Sequence, residues 1–307
     1  MFIGGRGIGK TYSTLNGVLK DDSYFMYVRR TQTELDNCIK PENNPFITLN
    51  SDLKKEVEIS KSGDGFVIHE KDKIIGVAGA LSTFGKFRGS DFSKVEYIIF
   101  DEFIRTVKYG QRYNEAEMFF NMLETVNRNR ELNGEKPIKV ILLSNANTID
   151  NDIIREFRLG EIIHRMKKEN IEVYTDRDRG LYLSLINNNS VSKAKADTAL
   201  YRLTRGTKFY DMSINNEFTT DDFNNVYKVD YKTLIPVCSF ENMYVYKSKT
   251  NDFLFVSYRK SNVPAYSYDT LKRFKRDYGL MFQFYVENNL IVFFDYDIKL
   301  DFLHIWQ

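Results

Sequence analysis

Apolar and polar positions along this chain keep two different periods. After a glycine-rich opening, Leu15, Val18 and Leu19 recur at the spacing of a buried helical stripe, which predicts a helix over Tyr12 to Lys20. The run YFMYV, Tyr24 to Val28, is short, apolar and rich in strand-favouring residues; it closes on Arg29 and Arg30, and TQTEL opens another helix. Pro41 and Pro45 interrupt the next segment. Gly65 to Leu81 predicts a hairpin, FVIH and IIGVAGAL around EKDK, added to a sheet edge. Two continuous apolar runs follow, VEYIIF (Val95 to Phe100) and KVILL (Lys139 to Leu143), of the kind buried on both faces in parallel sheets. Between them Ala116, Phe119, Phe120, Leu123 and Val126 predict an amphipathic helix over Gln111 to Arg130. Short apolar strands alternating with helices imply β-α-β connections, hence an α/β fold whose parallel sheet is flanked by helices.

Beyond Gly180 the pattern weakens. Asn187 to Ser190 and the following VSKAKAD read as a linker opening a short helix, and Arg205-Gly206-Thr207 as a turn. From about Asp230 the strand-like runs LIPVCSF, MYVYKS and FLFVSYR, a helix from about Ser267 to Asp277, and then FQFYVE and LIVFFDY predict a small α+β unit. The expected division is a nucleotide-binding domain over 1–190, a linker over 191–229 and a small α+β domain over 230–307.

The opening itself carries the sharpest chemistry. MFIGGRGIGKTYS places Gly4, four residues, then Gly9, Lys10 and Thr11, the G-x-x-x-x-G-K-[ST] phosphate loop (P-loop). A loop cradles a triphosphate only if its N–H groups point inward unobstructed, which Gly4, Gly5, Gly7 and Gly9 allow. Lys10 adds a cation for the terminal phosphates, the Thr11 hydroxyl a ligand for Mg²⁺, and the helix that follows aims its N-terminus at the anion. Arg6, Ile8 and Tyr12 complete the candidate nucleotide-binding set. A chance glycine-rich turn is the alternative. Only Met1, Phe2 and Ile3 precede the loop, so its strand is either very short or begins in residues upstream of this sequence.

The second half of such a site stands at the end of VEYIIF, where a buried strand delivers Asp101 and Glu102 to the carboxyl edge of the sheet. Asp101 suits Mg²⁺ held through water, and Glu102 suits polarising an attacking water. Asn145, ending KVILLSN, reads either as a sensor of the γ-phosphate or as the cap of a helix beginning near Asp150. Arg128 and Arg130, at the end of the amphipathic helix, read either as compensation of the helix dipole or as an arginine given to a neighbouring subunit's γ-phosphate.

Composition narrows the class without changing it. Across 307 residues, 42% hydrophobic and 28% charged composition argues for a globular chain rather than a disordered one. With 44 basic against 42 acidic side chains, any hold on nucleic acid must come from local patches. Cys38 and Cys238 lack metal spacing and fit a reducing compartment. No apolar run approaches a membrane span, and no signal-peptide pattern opens the chain, so the expected location is the cytoplasm of the cell that makes it. No N-K-x-D stretch argues for GTP, and a small-molecule kinase would waste ATP through Glu102.

With both halves of the site placed, GGRGIGKTYS, YVRRTQTEL, KFRGSDFSKVEYIIFDEF, LETVNRNRE and LLSNAN resemble the DNA-packaging ATPases of small tailed phages with protein-primed genomes, phi29-like podoviruses related to terminase large subunits. The resemblance covers about the first 150 residues, and GTKFYD at Gly206 to Asp211 extends it. It implies an ASCE-type P-loop ATPase that hydrolyses ATP with Mg²⁺ in a homo-oligomeric ring, commonly a pentamer. Such a ring docks on the portal (connector) of the prohead, in places with a packaging RNA, and pumps double-stranded viral DNA. The protein would work in the host cytoplasm, transiently on the prohead, absent from the mature virion and from membranes. The resemblance further implies that Lys10 and Thr11 bind phosphate and metal, that Asp101 sits on the metal and Glu102 is the catalytic carboxylate, and that Arg128, with Arg130 as substitute, acts in trans. Arg88 would be a second trans-acting cation, and Arg105 and Lys108 would contact DNA, against the plainer reading of a solvated loop.

Full terminases also carry a metal-dependent nuclease. Asp295, Asp297 and Asp301 cluster here, but FDYDIKLD alternates like a strand with a polar face, so the expectation is a reduced RNase H-like unit without cleavage. Its basic helix, Lys272, Arg273, Lys275 and Arg276 around Phe274, suits nucleic acid, another motor component or plain solvation. An active nuclease and a P-loop scaffold with vestigial hydrolysis are the alternatives to the motor.

Overall fold

A computed structural model gives the fold and describes residues 1–63, 65–87, 89–104, 114–186, 194–214, 218 and 223–306. The first elements in chain order are β1 (Phe2–Gly4), α1 (Lys10–Lys20), β2 (Phe25–Arg29), α2 (Gln32–Cys38), α3 (Ile47–Leu53), β3 (Val57–Ser62), β4 (Gly65–Glu70), β5 (Lys73–Ala80), β6 (Tyr97–Asp101), α4 (Glu115–Asn127) and β7 (Lys139–Asn145). Then come α5 (Asp152–Glu156), α6 (Gly160–Glu169), β8 (Val173–Asp176), β9 (Leu181–Ile186), α7 (Ala199–Leu203) and α8 (Lys208–Ile214). The remainder is β10 (Leu234–Phe240), β11 (Met243–Ser248), β12 (Leu254–Ser257), β13 (Ala265–Tyr266), α9 (Leu271–Glu287), β14 (Ile291–Phe293) and α10 (Tyr296–Trp306). They form two compact units, Met1–Ile153 with Asn170–Thr220, and Ile154–Glu169 with Asp221–Gln307.

The first unit is built on one nine-stranded sheet, ordered β3-β4-β5-β2-β6-β7-β1-β9-β8. Its six central strands, β5 to β9 in that order, are parallel, and β3, β4 and β8 are added at the two edges by antiparallel pairing. Parallel pairing demands crossovers and buries both faces. Ile98, Ile99 and Phe100 of β6 are accordingly fully buried. One face is closed by a core in which Leu15, Val18 and Leu19 of α1 and Leu35 of α2 pack on Phe25, Tyr27 and Ile99. Each such side chain contributes roughly 1.5–3 kcal/mol of burial. Local signals start the helices: Thr31 and Glu34 form a reciprocal capping box on α2, and the Asn114 side chain accepts N–H bonds from Ala116 and Glu117 at the head of α4.

Several expectations change. The hairpin β4–β5 forms, but β3 pairs outside it, so the hairpin is not the edge. Helix α3 begins two residues after Pro45, β9 extends the sheet beyond Gly180, where the pattern weakens, and β8 pairs with it at the edge. In α4 the buried stripe is Glu115, Ala116, Phe119, Met122 and Val126, with Phe120 turned outward. Of the expected linker, 191–229, the described residues 194–214 and 218 belong to the first unit and 223–229 to the second.

The second unit has a five-stranded sheet, β13-β10-β11-β12-β14, in which β10, β11 and β12 form an antiparallel meander and β13 and β14 add in parallel on either side. Phe274, Phe282 and Tyr285 of α9 and Ile298 and Phe302 of α10 fill its core with Phe240, Val245 and Val256. FQFYVE is thus the end of a helix, not a strand; its local alternation imitated a strand, while the apolar stripe from Phe274 onward keeps helical spacing. FDYDIKLD likewise enters a helix: Asp295 accepts the Ile298 N–H at 2.9 Å, and residues 296–300 are all buried, so no amphipathic period marks it.

One contact in the sheet gives a sharp expectation. Between Ile68↔Gly76 and His69↔Ile74 the register of β4 and β5 shifts, leaving Ile75 as the extra residue of a bulge. A Cβ on Gly76 would stand 2.4 Å from the Phe25 carbonyl oxygen of the neighbouring strand. Gly76→Ala therefore destabilises the chain by about 2–3 kcal/mol in urea unfolding. Gly17→Ala, in an exposed turn of α1 with nothing within 4 Å of the new methyl, raises stability by about 0.5–1 kcal/mol.

Candidate active site

Strand register assembles the site. Gly4 at the end of β1 lies opposite Asn145 of β7, Asp101 of β6 lies opposite Leu143 of β7, and Val28 of β2 lies opposite Phe100. The carboxyl ends of β1, β7, β6 and β2 therefore present Gly4, Asn145, Asp101 and Arg29 along one edge, where open α/β sheets bind ligands.

From β1 the chain turns through the glycine-rich loop into α1. Gly7 and Gly9 have φ of 68° and 88°, a left-handed backbone that other side chains resist. Lys10 folds back over the loop: its Nζ donates to the Gly4 and Gly5 carbonyls at 3.1 and 2.8 Å and to Asn145 Oδ1 at 3.2 Å. Burial pushes the Lys10 ammonium down to about 8, against the opposing pull of Asp101 and Glu102. Thr11 donates its hydroxyl to Asp101, with Oδ1 and Oδ2 at 3.0 and 3.1 Å. The two motifs, ninety residues apart, thus meet side chain to side chain. Asn145 faces Lys10 instead of capping a helix; Asn151 receives the Ile153 N–H at the start of α5.

On the acidic side, Asp101 is buried and its carboxyl is raised by that burial, with Arg29 and the Tyr27 hydroxyl pulling it back. The Tyr27 hydroxyl donates to Asp101 Oδ2 at 2.9 Å, and Arg29 Nη1 reaches the same oxygen at 3.4 Å. Arg29 Nη2 donates to Glu102 Oε2 at 2.6 Å, while the Glu102 side chain stays about half exposed, 53%. Glu102 takes a left-handed φ of 56°, the strained turn that swings its carboxylate off the strand end. The next residue works on the other side: Arg30 donates to the Glu102 and Phe103 carbonyls at 3.0 and 2.6 Å and pairs with buried Glu115 of α4 at 2.9 Å. Removing one partner of so buried a pair costs about 3–5 kcal/mol.

A cleft of about 300 Å³ is lined by Arg6, Gly7, Gly9, Lys10, Thr11, Tyr12, Asp101, Glu102, Ser144 and Asn145. A roomier cavity, about 440 Å³, lies beside Arg30 and Glu115, but its charges are closed on each other. The smaller cleft holds the convergent loop, cation and carboxylates, and is the candidate site.

The remaining expected residues divide. Tyr12 lines the cleft and donates to Asp52 at 2.7 Å. Ile8 lines a neighbouring apolar cavity with Phe2, Val18 and Ile186 and is not among the residues that line the cleft. Arg128 follows α4 with its side chain exposed, donating to the Ser90 carbonyl at 2.6 Å. Arg130 is buried, and its Nη2 donates to the Phe92 and Ser93 carbonyls at 2.9 and 2.6 Å, which ties it down within its own chain. Arg88, Arg105 and Lys108 lie outside the described residues. In the second unit each carboxylate has an occupation: Asp295 caps α10, Asp297 accepts the Gly160 N–H at 2.8 Å, and Asp301 accepts from Arg158 at 2.6 Å and Tyr258 at 2.7 Å. Burial lifts Asp297 to about 6.

Residues that sequence reasoning passed over are Tyr27, Arg29 and Arg30, and Lys195, whose ammonium donates to the Arg6 carbonyl of the phosphate loop. The two arginines carried a usable signal, two cations at the carboxyl end of a buried strand. Lys195, in a polar stretch far along the chain, carried none.

Comparison with known proteins places the chain in a family. A profile of the podovirus DNA encapsidation protein (Gp16) family matches residues 1–264. Over 225 residues the chain is 31% identical to the DNA packaging proteins of Bacillus phage phi29 and Bacillus phage PZA, covering 71% of this chain and 61% of each relative. The match thus spans about three fifths of those relatives' length. Among solved structures, the bacteriophage Phi-29 viral genome packaging motor assembly aligns over 99% of this chain and 94% of its own, with a TM-score of 0.66 at 22% identity. The Phi-28 gp11 DNA packaging motor aligns over 98% and 92%, with a TM-score of 0.62 at 19% identity. These two likenesses are of fold. On the profile and the sequence identity together, the chain belongs to the podovirus DNA encapsidation protein (Gp16) family.

Proposed function

We propose that this chain is the ATP-hydrolysing subunit of a motor that translocates double-stranded viral DNA into the prohead. The single observation that carries the reading is the Thr11–Asp101 contact at 3.0 Å, which brings a phosphate loop and an acidic strand end to one cleft with Glu102 beside them. Membership in the encapsidation family, and relatives named as DNA packaging proteins, supply the substrate and the setting.

The donor set fits a magnesium nucleotide. Thr11 and Asp101 offer adjacent oxygens, which suits a hard cation that keeps most of its waters and shares a phosphate oxygen. Thr11 would hold Mg²⁺ directly and Asp101 through water, and the ion would neutralise charge on the β- and γ-phosphates. The chain's own work is positional. Loop amides and the α1 N-terminus bind the phosphates, and Lys10 exchanges the Gly4 and Gly5 carbonyls for phosphate oxygens. Glu102 takes the proton from an attacking water at its half-exposed carboxylate, and Arg29 orients that carboxylate by its bond to Oε2. Asn145, bonded to Lys10, is placed to register the γ-phosphate.

In this reading the protein works in the infected host's cytoplasm as a ring, a pentamer in the simplest case, docked on the portal and in places on a packaging RNA. The exposed Arg128 reaches a neighbour's γ-phosphate, and buried Arg130 shapes the turn that presents it. Arg88, Arg105 and Lys108 serve the neighbouring site and the DNA backbone. The second unit is a reduced RNase H-like module without cleavage, supported by its three-strand meander and by carboxylates already bound to Gly160, Arg158 and Tyr258.

Two measurements test the reading. Glu102→Gln lowers ATP turnover by about 10²–10⁴-fold and abolishes DNA packaging, while fluorescent-nucleotide titration finds ATP binding retained; undiminished turnover would falsify the assignment. Because free Lys10 titrates at about 8 and a bound polyanion favours its charged form, nucleotide binding takes up a proton above that pH. ATP affinity measured against pH then stays level below pH 8 and falls by up to about tenfold per unit above it.

A further inference from the structure

We propose that Lys195 is a phosphate-binding cation supplied to the P-loop by its own chain, a ligand for the terminal phosphates of the bound nucleotide; this rests on the ATPase reading above.

The placement is specific. The Lys195 ammonium donates to the carbonyl of Arg6, the loop residue preceding Gly7, and lies 3.1 Å from where a Cβ on Gly7 would stand. Arg6 and Gly7 both line the phosphate cleft. On its other side Lys195 meets the face of Tyr201 at 5.0 Å. Tyr201 is itself buried and stacks on Phe209 at 5.8 Å with the rings 8° from parallel, so the ammonium is aimed by a packed aromatic platform. The segment is also seated on the loop from its far end, because a Cβ on Gly5 would come within 2.7 Å of the Ser213 carbonyl oxygen.

Two ammonium groups, Lys10 and Lys195, therefore converge on one glycine-lined loop. Among the described residues, a single carbonyl oxygen and one ring face are all that Lys195 meets, although it has three donors to give. Two like charges on one loop favour a bound polyanion, and a charge-assisted bond to phosphate is stronger than the carbonyl contact it replaces. The Arg6–Gly7 side of the loop is where the chain after β9 can meet the nucleotide without help from a neighbouring subunit. A triphosphate reaches that cation and a diphosphate reaches it less, so Lys195 ties segment 194–214 to the hydrolysis state of the same protomer. Arg128, by contrast, needs a neighbour.

A plain structural pin would predict something different, and nucleotide discrimination separates the two. Full-length Lys195→Gln and Lys195→Arg proteins are titrated with a non-hydrolysable ATP analogue and with ADP, each with Mg²⁺, at protomer concentrations below ring assembly. Lys195→Gln is expected to weaken the ATP analogue about tenfold while ADP shifts by no more than about twofold, and Lys195→Arg restores the analogue. Equal losses for both nucleotides, or no loss for either, overturn the proposal while leaving the ATPase reading intact. Failure of the unaltered chain to bind either nucleotide sinks that reading and the role of Lys195 together.

Discussion

The hydrogen bond from Thr11 to Asp101 is the contact on which the rest of the structure turns. It joins the first turn of α1 to the tip of β6, so the loop before Thr11 and the carboxylate after Asp101 face one cleft. Nothing local in either segment brings them together. The pairing follows from sheet order: β6 lies beside β7, β7 beside β1, and the crossover through α1 returns the chain to β2 on the far side of β6. A parallel sheet forces such an arrangement, because each strand must be reached by a helix packed over its neighbours.

Two adjacent arginines then brace the acidic end of β6 in opposite ways. Side chains alternate along a strand, so Arg29 and Arg30 at the end of β2 diverge. Arg29 grips the carboxylates of Asp101 and Glu102, holding charge where metal and water would be managed. Arg30 grips the backbone of Glu102 and Phe103 and ties it to Glu115 at the head of α4. The strained left-handed turn at Glu102 is thus held by its side chain and by its carbonyl at once. The same α4 ends at the exposed Arg128, so the Arg30–Glu115 pair and one helix connect the strand tip to that arginine.

Much of the first unit was legible because its signals are local. Continuous apolar runs marked β2, β6 and β7, the spacing of Leu15, Val18 and Leu19 marked α1, and the P-loop and Asp101-Glu102 stood out as the two motifs that the fold brings to one cleft. The losses have physical reasons. Leu183 and Leu185 of β9 are fully buried and alternate with Tyr182 and Ser184, yet a six-residue run between polar segments gives a weak strand signal. Residues 296–300, which open helix α10, are all buried, so alternation in FDYDIKLD mimicked a strand. In the site, roles set by register stayed hidden: no pattern in VRR says that one arginine meets Glu102 and the next Glu115. Lys195 is the extreme case, a lysine 189 positions from Arg6 whose contact only the fold creates.

The most direct test of the shared cleft is a crystal structure of the chain with Mg²⁺ and a non-hydrolysable ATP analogue. The expected result is one magnesium bound by the Thr11 hydroxyl at about 2.1 Å, with Asp101 one water away and the β- and γ-phosphates over Gly7 to Lys10. A nucleotide seated elsewhere, or bound at the loop with Thr11 still donating to Asp101 and no metal between them and the phosphates, would contradict it.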